Sequence, residues 1–249
     1  MTAVALSLRG VRVGYGSHTA LDGVDLDVGA GQRVALVGPS GAGKSTLLGL
    51  ATGAVLPDAG SVEVLGQPLA GLSASSLRAV RRRVGMIHQH LDLVGPLRVV
   101  HNVNAGRLGT WSRRRALRSL LRPVAVAEVS EVLARVGIAD KLQERTDRLS
   151  GGERQRVALA RVLVQDPELV LADEPVSSLD PAHAEEVLDL LTECVAERGA
   201  ALLVSLHDFE LARRRCDRVV GMRDGRVAFD LPAVEVTVDH ARALYHLHR

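Results

Sequence analysis

The chain has 249 residues, 47% of them hydrophobic and 24% charged, with a formal net charge of +2. That length suits one large domain or a domain with a subdomain, and so balanced a charge gives no global basic field for nucleic acid. Aromatic residues are only 2%, which removes a base-stacking platform of the RNA-binding kind, and no apolar run approaches the roughly 18 residues of a membrane span.

Met1 to Leu8 moves straight into a strand pattern instead of a secretory apolar region, so a soluble, cytoplasmic chain is expected. Val4 to Leu8, Val11 to Tyr15 and Val24 to Val28 alternate apolar and polar residues and predict antiparallel strands with one solvated face. Arg33 to Val37 is a short apolar run and predicts a buried strand. Gly38-Pro39-Ser40-Gly41-Ala42-Gly43-Lys44-Ser45-Thr46 follows and fits G-x-x-x-x-G-K-[ST], with a helix predicted from Ser45 to Leu50. Backbone N–H groups of such a loop and of the first helical turn converge on one spot, and the helix dipole favours negative charge there. Gly38, Gly41 and Gly43 allow sharp turning and close approach to phosphate oxygens. Lys44 places an ammonium at the β- and γ-phosphates, and Ser45 offers a hydroxyl to Mg²⁺. The chain has 31 Lys+Arg, yet only Lys44 and Lys141 are lysine. A compact point charge therefore stands where a phosphate cradle needs one, in a chain that otherwise uses arginine.

Pro57 to Gly60 predicts a turn, Ser61 to Leu65 a strand, Ser73 to Arg83 a helix, and Val84 to Ile87 a strand ending at His88-Gln89-His90. His88 and His90 lack further ligands for a metal, so surface or partner contacts are expected of them. From about 91 to 148 the strand signal disappears, and the stretch predicts a helical insertion. Ala127 to Val136 has the helical period, and Gly137 follows as a C-cap. Arg113-Arg114-Arg115 inside it is either a solvated face or a contact for lipid headgroups or an acidic partner.

Leu149-Ser150-Gly151-Gly152-Glu153-Arg154-Gln155 opens a helix running through Val164, a second glycine-rich helix start and a second potential phosphate site. Leu169 to Ala172 predicts a central parallel strand that delivers Asp173 and Glu174 to the phosphate edge of the sheet. One carboxylate there can hold the metal while the other orients or deprotonates the attacking water. Asp180-Pro181 starts a helix that runs to Arg198. Ala200 to Val204 is another buried strand, ending near His207, which is placed to reach a γ-phosphate or to serve as a structural hydrogen-bonding group. Asp224-Gly225 between Val219–Met222 and Arg226–Phe229 predicts a hairpin, and a terminal helix covers Asp239 to Arg249. Cys194 and Cys216 stand alone and read as reduced thiols.

With these motifs in hand, the sequence resembles an ATP-binding cassette (ABC) transporter ATPase subunit along essentially its whole length. Leu149 to Arg156 is similar to the LSGGQ signature, with Glu153 where glutamine is commoner. Ser177-Ser178-Leu179-Asp180 resembles the D-loop, Gln89 the Q-loop glutamine, His207 the switch histidine, and Tyr15 the aromatic that stacks on adenine. The stretch Asn102 to Leu121 and the stretch Leu171 to Asp180 are similar to phosphonate-import ATPases.

The resemblance implies an α/β P-loop NTPase cassette with a mainly parallel core sheet, an N-terminal antiparallel β subdomain and an inserted helical subdomain. The division expected is a single domain over 1–249, with 1–90 and 149–249 as core and β subdomain and about 91–148 as the helical part. It implies ATP and Mg²⁺ as cofactors. Two cassettes pair head to tail, each ATP lying between Lys44 of one copy and Ser150, Gly151, Gly152 and Asp180 of the other. Glu174, His207 and Gln89 would act on the reacting water and γ-phosphate, and Ser45, Gln89 and Asp173 would hold the metal. The remaining implications are integral membrane permease subunits, an extracytoplasmic solute-binding protein reached indirectly, no nucleic acid, and a peripheral place on the cytoplasmic face of the membrane. Other cargoes or an exporter, and more remotely a soluble cassette ATPase in DNA repair or translation, are the alternatives. Glu153 is expected to point away from the nucleotide.

Overall fold

Period-two alternation at the start of the chain becomes a strand pair whose apolar set faces inward. In the computed structural model, which describes residues 3–177 and 179–245 with the side chains of 120 and 121 excepted, the strands in chain order are as follows. They are β1 (Val4–Tyr15), β2 (His18–Gly29), β3 (Arg33–Val37), β4 (Ala59–Val64), β5 (Gln67–Pro68), β6 (Val84–Ile87), β7 (Leu169–Asp173), β8 (Ala201–Leu206), β9 (Arg218–Arg223) and β10 (Arg226–Pro232). The helices are α1 (Lys44–Ala51), α2 (Ala74–Arg82), α3 (Val99–Asn104), α4 (Arg113–Leu121), α5 (Val126–Arg135), α6 (Gly151–Leu163), α7 (Pro181–Glu197), α8 (Phe209–Arg215) and α9 (Val238–Tyr245). Ser178 of the D-loop and residues 246–249 of the expected terminal helix lie outside the described residues.

Two sheets form. The first is antiparallel, in the order β2-β1-β4-β5. The two separate strands expected at Val4–Leu8 and Val11–Tyr15 are one continuous strand. A register shift between Leu8 and Val11 carries the chain through Gly10, whose φ is +55°, and keeps both halves on the same neighbours. The second sheet has the order β10-β9-β3-β8-β7-β6. Its five strands from β9 to β6 are parallel, and β10 returns antiparallel through the expected Asp224-Gly225 turn.

Parallel strands must be covered on both faces, which is why their sequences are near-continuous apolar runs. Ala35, Val37, Val170, Ala172, Leu202 and Val204 face one hydrophobic cluster shared with α6 and α7. Val34, Leu36, Leu169, Leu171, Ala201 and Leu203 face the other, shared with α1 and the antiparallel sheet. The sheet is thus a common wall, and one residue's slip in any strand would exchange its two faces. Between β6 and α6 only helices and an isolated Arg98–Arg145 bridge occur among the described residues. This helical insertion docks through Val99, Val100 and Val103 of α3 into the α6 side of the core. The carboxyl ends of β3, β6, β7 and β8 emerge on one edge of the sheet, the edge at which open α/β sheets bind ligands.

Candidate functional site

The loop after β3 is shaped by its glycines. Gly38 has φ +153°, and a Cβ there would stand 2.2 Å from the Met222 carbonyl oxygen of β9. Gly43 precedes α1 in the left-handed region at φ 99°, and no side chain caps the helix. The first-turn N–H groups are therefore left for an outside acceptor. Lys44 is only 5% exposed. Its Nζ donates to the carbonyl oxygens of Gly38 at 2.7 Å and Pro39 at 3.2 Å, so the loop's own oxygens hold the ammonium. Burial pushes the Lys44 pKa down, while Glu174 and Asp173 oppose that shift.

A cleft of about 440 Å³ opens above this loop. It is lined by Ser40 to Thr46, by Tyr15, His18 and Ala20 on one side, and by Gln89, Glu174 and His207 on the other. Tyr15 is 54% exposed at the end of β1, so its ring stands at the mouth and is not core. The donor set fits a polyphosphate: backbone N–H groups, hydroxyls and one ammonium line the cleft.

Opposite the loop, three strand ends meet. Glu174, just past β7, has φ +47°, a left-handed conformation that costs a non-glycine residue about 1–2 kcal/mol. Its Oε1 lies 2.5 Å from His207 Nε2, beyond the end of β8. Its Oε2 accepts from Gln89 Nε2 at 3.2 Å, just beyond β6. Asp173 ends β7 one residue earlier and does not line the cleft. Its Oδ1 accepts from Ser205 Oγ at 2.7 Å, and the same hydroxyl accepts the Glu174 N–H at 2.8 Å.

Ser205 is fully buried and fixes both acidic residues relative to each other. Sequence reasoning passed over it, although a single serine in the apolar β8 is a polar group that burial obliges to be bonded. Tyr245 on α9 ends a stretch similar to phosphonate-import ATPases, but its contact with the site was not legible in the sequence: its hydroxyl donates to the His207 carbonyl at 3.3 Å.

Ser45 and Gln89 line the cleft, with Asp173 behind them. No group of three or more His, Cys, Asp or Glu is placed to hold a metal among the described residues. Few protein ligands suit Mg²⁺, which keeps waters and substrate phosphates in its shell.

Ser150, Gly151, Gly152 and Asp180 do not join this cleft. Ser150 caps α6: its Oγ accepts the Glu153 N–H at 3.2 Å, and Glu153 Oε2 accepts the Ser150 N–H at 2.8 Å. The other Glu153 oxygen pairs with Lys141 Nζ at 3.2 Å. The Ser150 N–H and then Lys141 hold the Glu153 carboxyl below its usual range. Asp180 caps α7 and pairs with His183 at 2.6 Å, which lowers its pKa as well. Gly151 approaches Leu179, so the signature and the D-loop lie side by side. His88 lines a separate groove between α2 and the helical insertion, with Nε2 3.7 Å from Asp92.

A glycine loop between a buried parallel strand and an uncapped helix, with carboxylates delivered by a nearby strand of the same sheet, defines a P-loop NTPase. The chain belongs to the ABC transporter family, which it matches over residues 21–177. It is 51% identical over 245 residues to a phosphonates import ATP-binding protein of Anaeromyxobacter dehalogenans, covering 98% of this chain and 49% of that protein, about half its length. A phosphonates import ATP-binding protein of Pseudomonas syringae is 46% identical over 243 residues, covering 97% of this chain and 92% of the relative. Among solved structures, cbiO1 of Clostridium perfringens, part of the ABC transporter complex cbiONQ, superposes with a TM-score of 0.82 at 28% identity, covering 96% of this chain and 92% of that one. The dimeric structure of a bacterial ABC transporter cassette gives a TM-score of 0.76 at 28% identity over 92% and 98% of the two chains. The cassette fold expected from the motifs is borne out. Among the described residues no helix is long and apolar enough to cross a membrane.

Proposed function

We propose that this chain is the ATP-binding and ATP-hydrolysing subunit of a transporter that imports phosphonates or a related phosphorus oxyanion. One observation carries the ATPase assignment: the Glu174 carboxylate, bracketed by His207 and Gln89, faces the P-loop across the cleft. The cargo follows only from the relatives' names, since no residue of a cassette touches it.

Tyr15 stacks on adenine. The N–H groups from Gly41 to Thr46 take the phosphates, and Lys44 exchanges its two carbonyl partners for the β- and γ-phosphate oxygens. Ser45, Asp173 and Gln89 would hold Mg²⁺, which would supply positive charge to offset that of the phosphates. Glu174 releases His207, orients a water and takes its proton as the water oxygen bonds to the γ-phosphorus and the bond to the ADP oxygen breaks. His207, freed, donates to the γ-phosphate. Ser150, Gly151, Gly152 and Asp180 serve the nucleotide bound by a second copy, which agrees with their absence from this copy's cleft. The helical part, 91–148, moves against the core of 1–90 and 149–249 and carries closure to integral membrane permeases on the cytoplasmic face. A solute-binding protein acts on the far side.

The test is Glu174→Gln in the purified chain and in its membrane complex. Turnover falls by at least about 100-fold, the scale of a lost general base. ATP binding persists, and the trapped complex co-purifies with an integral membrane protein. Substantial residual turnover sinks the base assignment. Failure of methylphosphonate, presented with the binding protein, to stimulate the reconstituted complex sinks the cargo.

A further inference from the structure

Hydrolysis as described above asks His207 to leave Glu174 and turn to the γ-phosphate. Its imidazole must move while its main chain serves as a fixed pivot. Strand β8 ends at Leu206, where it still pairs with Val37 of β3, and α8 begins at Phe209. His207 falls in the two-residue link between them, outside the sheet ladder, with its side chain 45% exposed. Asp208 is fixed by capping α8, its Oδ1 accepting the Leu211 N–H at 2.9 Å. The His207 carbonyl, in such a link, needs a partner from elsewhere.

That partner comes from the far end of the chain. Tyr245, in the last turn of α9, donates from its hydroxyl to the His207 carbonyl oxygen at 3.3 Å. Helix α9 is itself anchored. Leu244 is buried in the same cluster as Leu206 and Leu211, and Tyr245 packs against that cluster. Arg223, the last residue of β9, donates from Nη1 to the Ala243 carbonyl at 3.1 Å. The His240 ring lies 5.3 Å from that of Phe229 on β10. At the start of the helix His240 Nδ1 accepts the Thr237 N–H at 3.1 Å. Burial pushes the Tyr245 phenol up, with the Gly38 backbone opposing, so the hydroxyl keeps its proton and remains a donor.

Packing alone does not call for that hydroxyl. A phenylalanine ring would fill the same place, and a half-buried phenol needs a bond to offset the water it loses. We propose that Tyr245 is a positioning residue for ATP hydrolysis: its hydroxyl pins the His207 main chain, so that the imidazole turns between Glu174 and the γ-phosphate about a fixed carbonyl. The switch histidine thereby depends on the terminal helix. A displacement of about 1 Å at such a group slows chemistry. Nucleotide binding is spared, because Tyr15 and the P-loop hold the nucleotide independently of it. The inference rests on the ATPase reading of Glu174 and His207.

The experiment is steady-state ATP hydrolysis by the whole chain carrying Tyr245→Phe, which keeps the ring and removes the bond. The kcat falls about fivefold, the scale of one hydrogen bond, while KM for ATP and the melting temperature stay at their native values. In a His207→Ala background, followed with labelled ATP to reach low turnover, Tyr245→Phe has no further effect. Hydrogen exchange over residues 205–211 of the nucleotide-free chain, which needs no hydrolysis, is faster in the Phe variant. Arg242→Gln, which breaks only the exposed pair with Asp239, changes neither readout. A Phe variant with native kcat and native exchange overturns the proposal. So does one that slows the His207→Ala chain as much as the native chain, since the hydroxyl then acts elsewhere. A lowered melting temperature with KM raised and kcat unchanged makes the role purely structural and overturns it too. If the native chain hydrolyses no ATP, the ATPase reading fails by itself. The exchange measurement then still decides whether Tyr245 holds the His207 segment.

Discussion

Two helices of this chain begin at glycine-rich turns, and they complete those turns in opposite ways. Helix α1 follows Gly43, which has no side chain to cap with, and its first-turn donors face the cleft. Helix α6 follows Ser150, and the reciprocal bonds of Ser150 and Glu153 close its first turn from within. A helix start leaves four N–H groups without intrahelical partners. The first helix leaves them to a ligand, and the second satisfies part of them itself. Under the proposed function the first start binds in its own copy and is kept incomplete, whereas the second would meet a nucleotide held by another copy and must be stable while it waits.

The largest effect should come from closing the first start. Gly38→Ala forces a Cβ into the Met222 carbonyl at a φ of +153°. Nucleotide binding should be lost, and stability should fall by about 3 kcal/mol or more, with β3 pushed off β9. Gly41→Ala is the internal control: φ is +81° but nothing lies within 4 Å of the new Cβ. It should cost about 1–2 kcal/mol and leave the fold intact. Equal losses in the two variants, measured by thermal melts and nucleotide titration, would show that close approach is not what Gly38 supplies.

A smaller effect is expected at the second start. Ser150→Ala removes a cap that contributes about 1 kcal/mol. ATP binding by the single chain should be unchanged, while ATP-driven dimerisation in the Glu174→Gln background disappears from size-exclusion profiles. Impaired binding to the single chain would mean the two starts are not divided between copies.

The smallest effect is reserved for Glu153→Gln. Glutamine still accepts the Ser150 N–H but loses the Lys141 pair, a contact screened by solvent. The native carboxyl lies below its ordinary value of 4.5, so its contribution is present above that pH and is lost as pH falls through the depressed value. The difference in melting temperature between the two proteins should therefore shrink in acid. A large gain in dimerisation from this change would show that Glu153 opposes the nucleotide after all.

The buried strands β3, β6, β7 and β8 were legible because parallel strands covered on both faces must be apolar throughout, and glycines or charged residues mark their ends. The loop, Lys44, Glu174, Gln89 and His207 were legible because each sits where such a strand stops. What escaped depended on partners distant in sequence. The two-residue strand β5 has no periodicity to read. The fusion of the first two strands depends on a bulge whose need arises only from pairing with β2 and β4. The left-handed backbone at Glu174 leaves no trace, since a glutamate there looks like any other. Ser205 was visible as a polar interruption of an apolar run, yet its importance comes from Asp173 and Glu174 arriving beside it. Tyr245 lies in a terminal helix that was legible, but its reach to the His207 carbonyl needed the fold.

The place of β3 has a further consequence, for synthesis. Its two neighbours are β8, pairing Arg33 with Leu202, and β9, pairing Val34 with Arg218. Both leave the ribosome long after it does, later by on the order of ten seconds or more at about 5–20 residues per second. Until then the strand bearing the P-loop has no hydrogen-bonding partner on either side, and its apolar faces depend on local collapse or on chaperones. A chain interrupted before Ala201 would carry every residue of the phosphate loop and have nothing to hold it in shape. A properly shaped phosphate loop is in that sense a report that translation has reached its last strands.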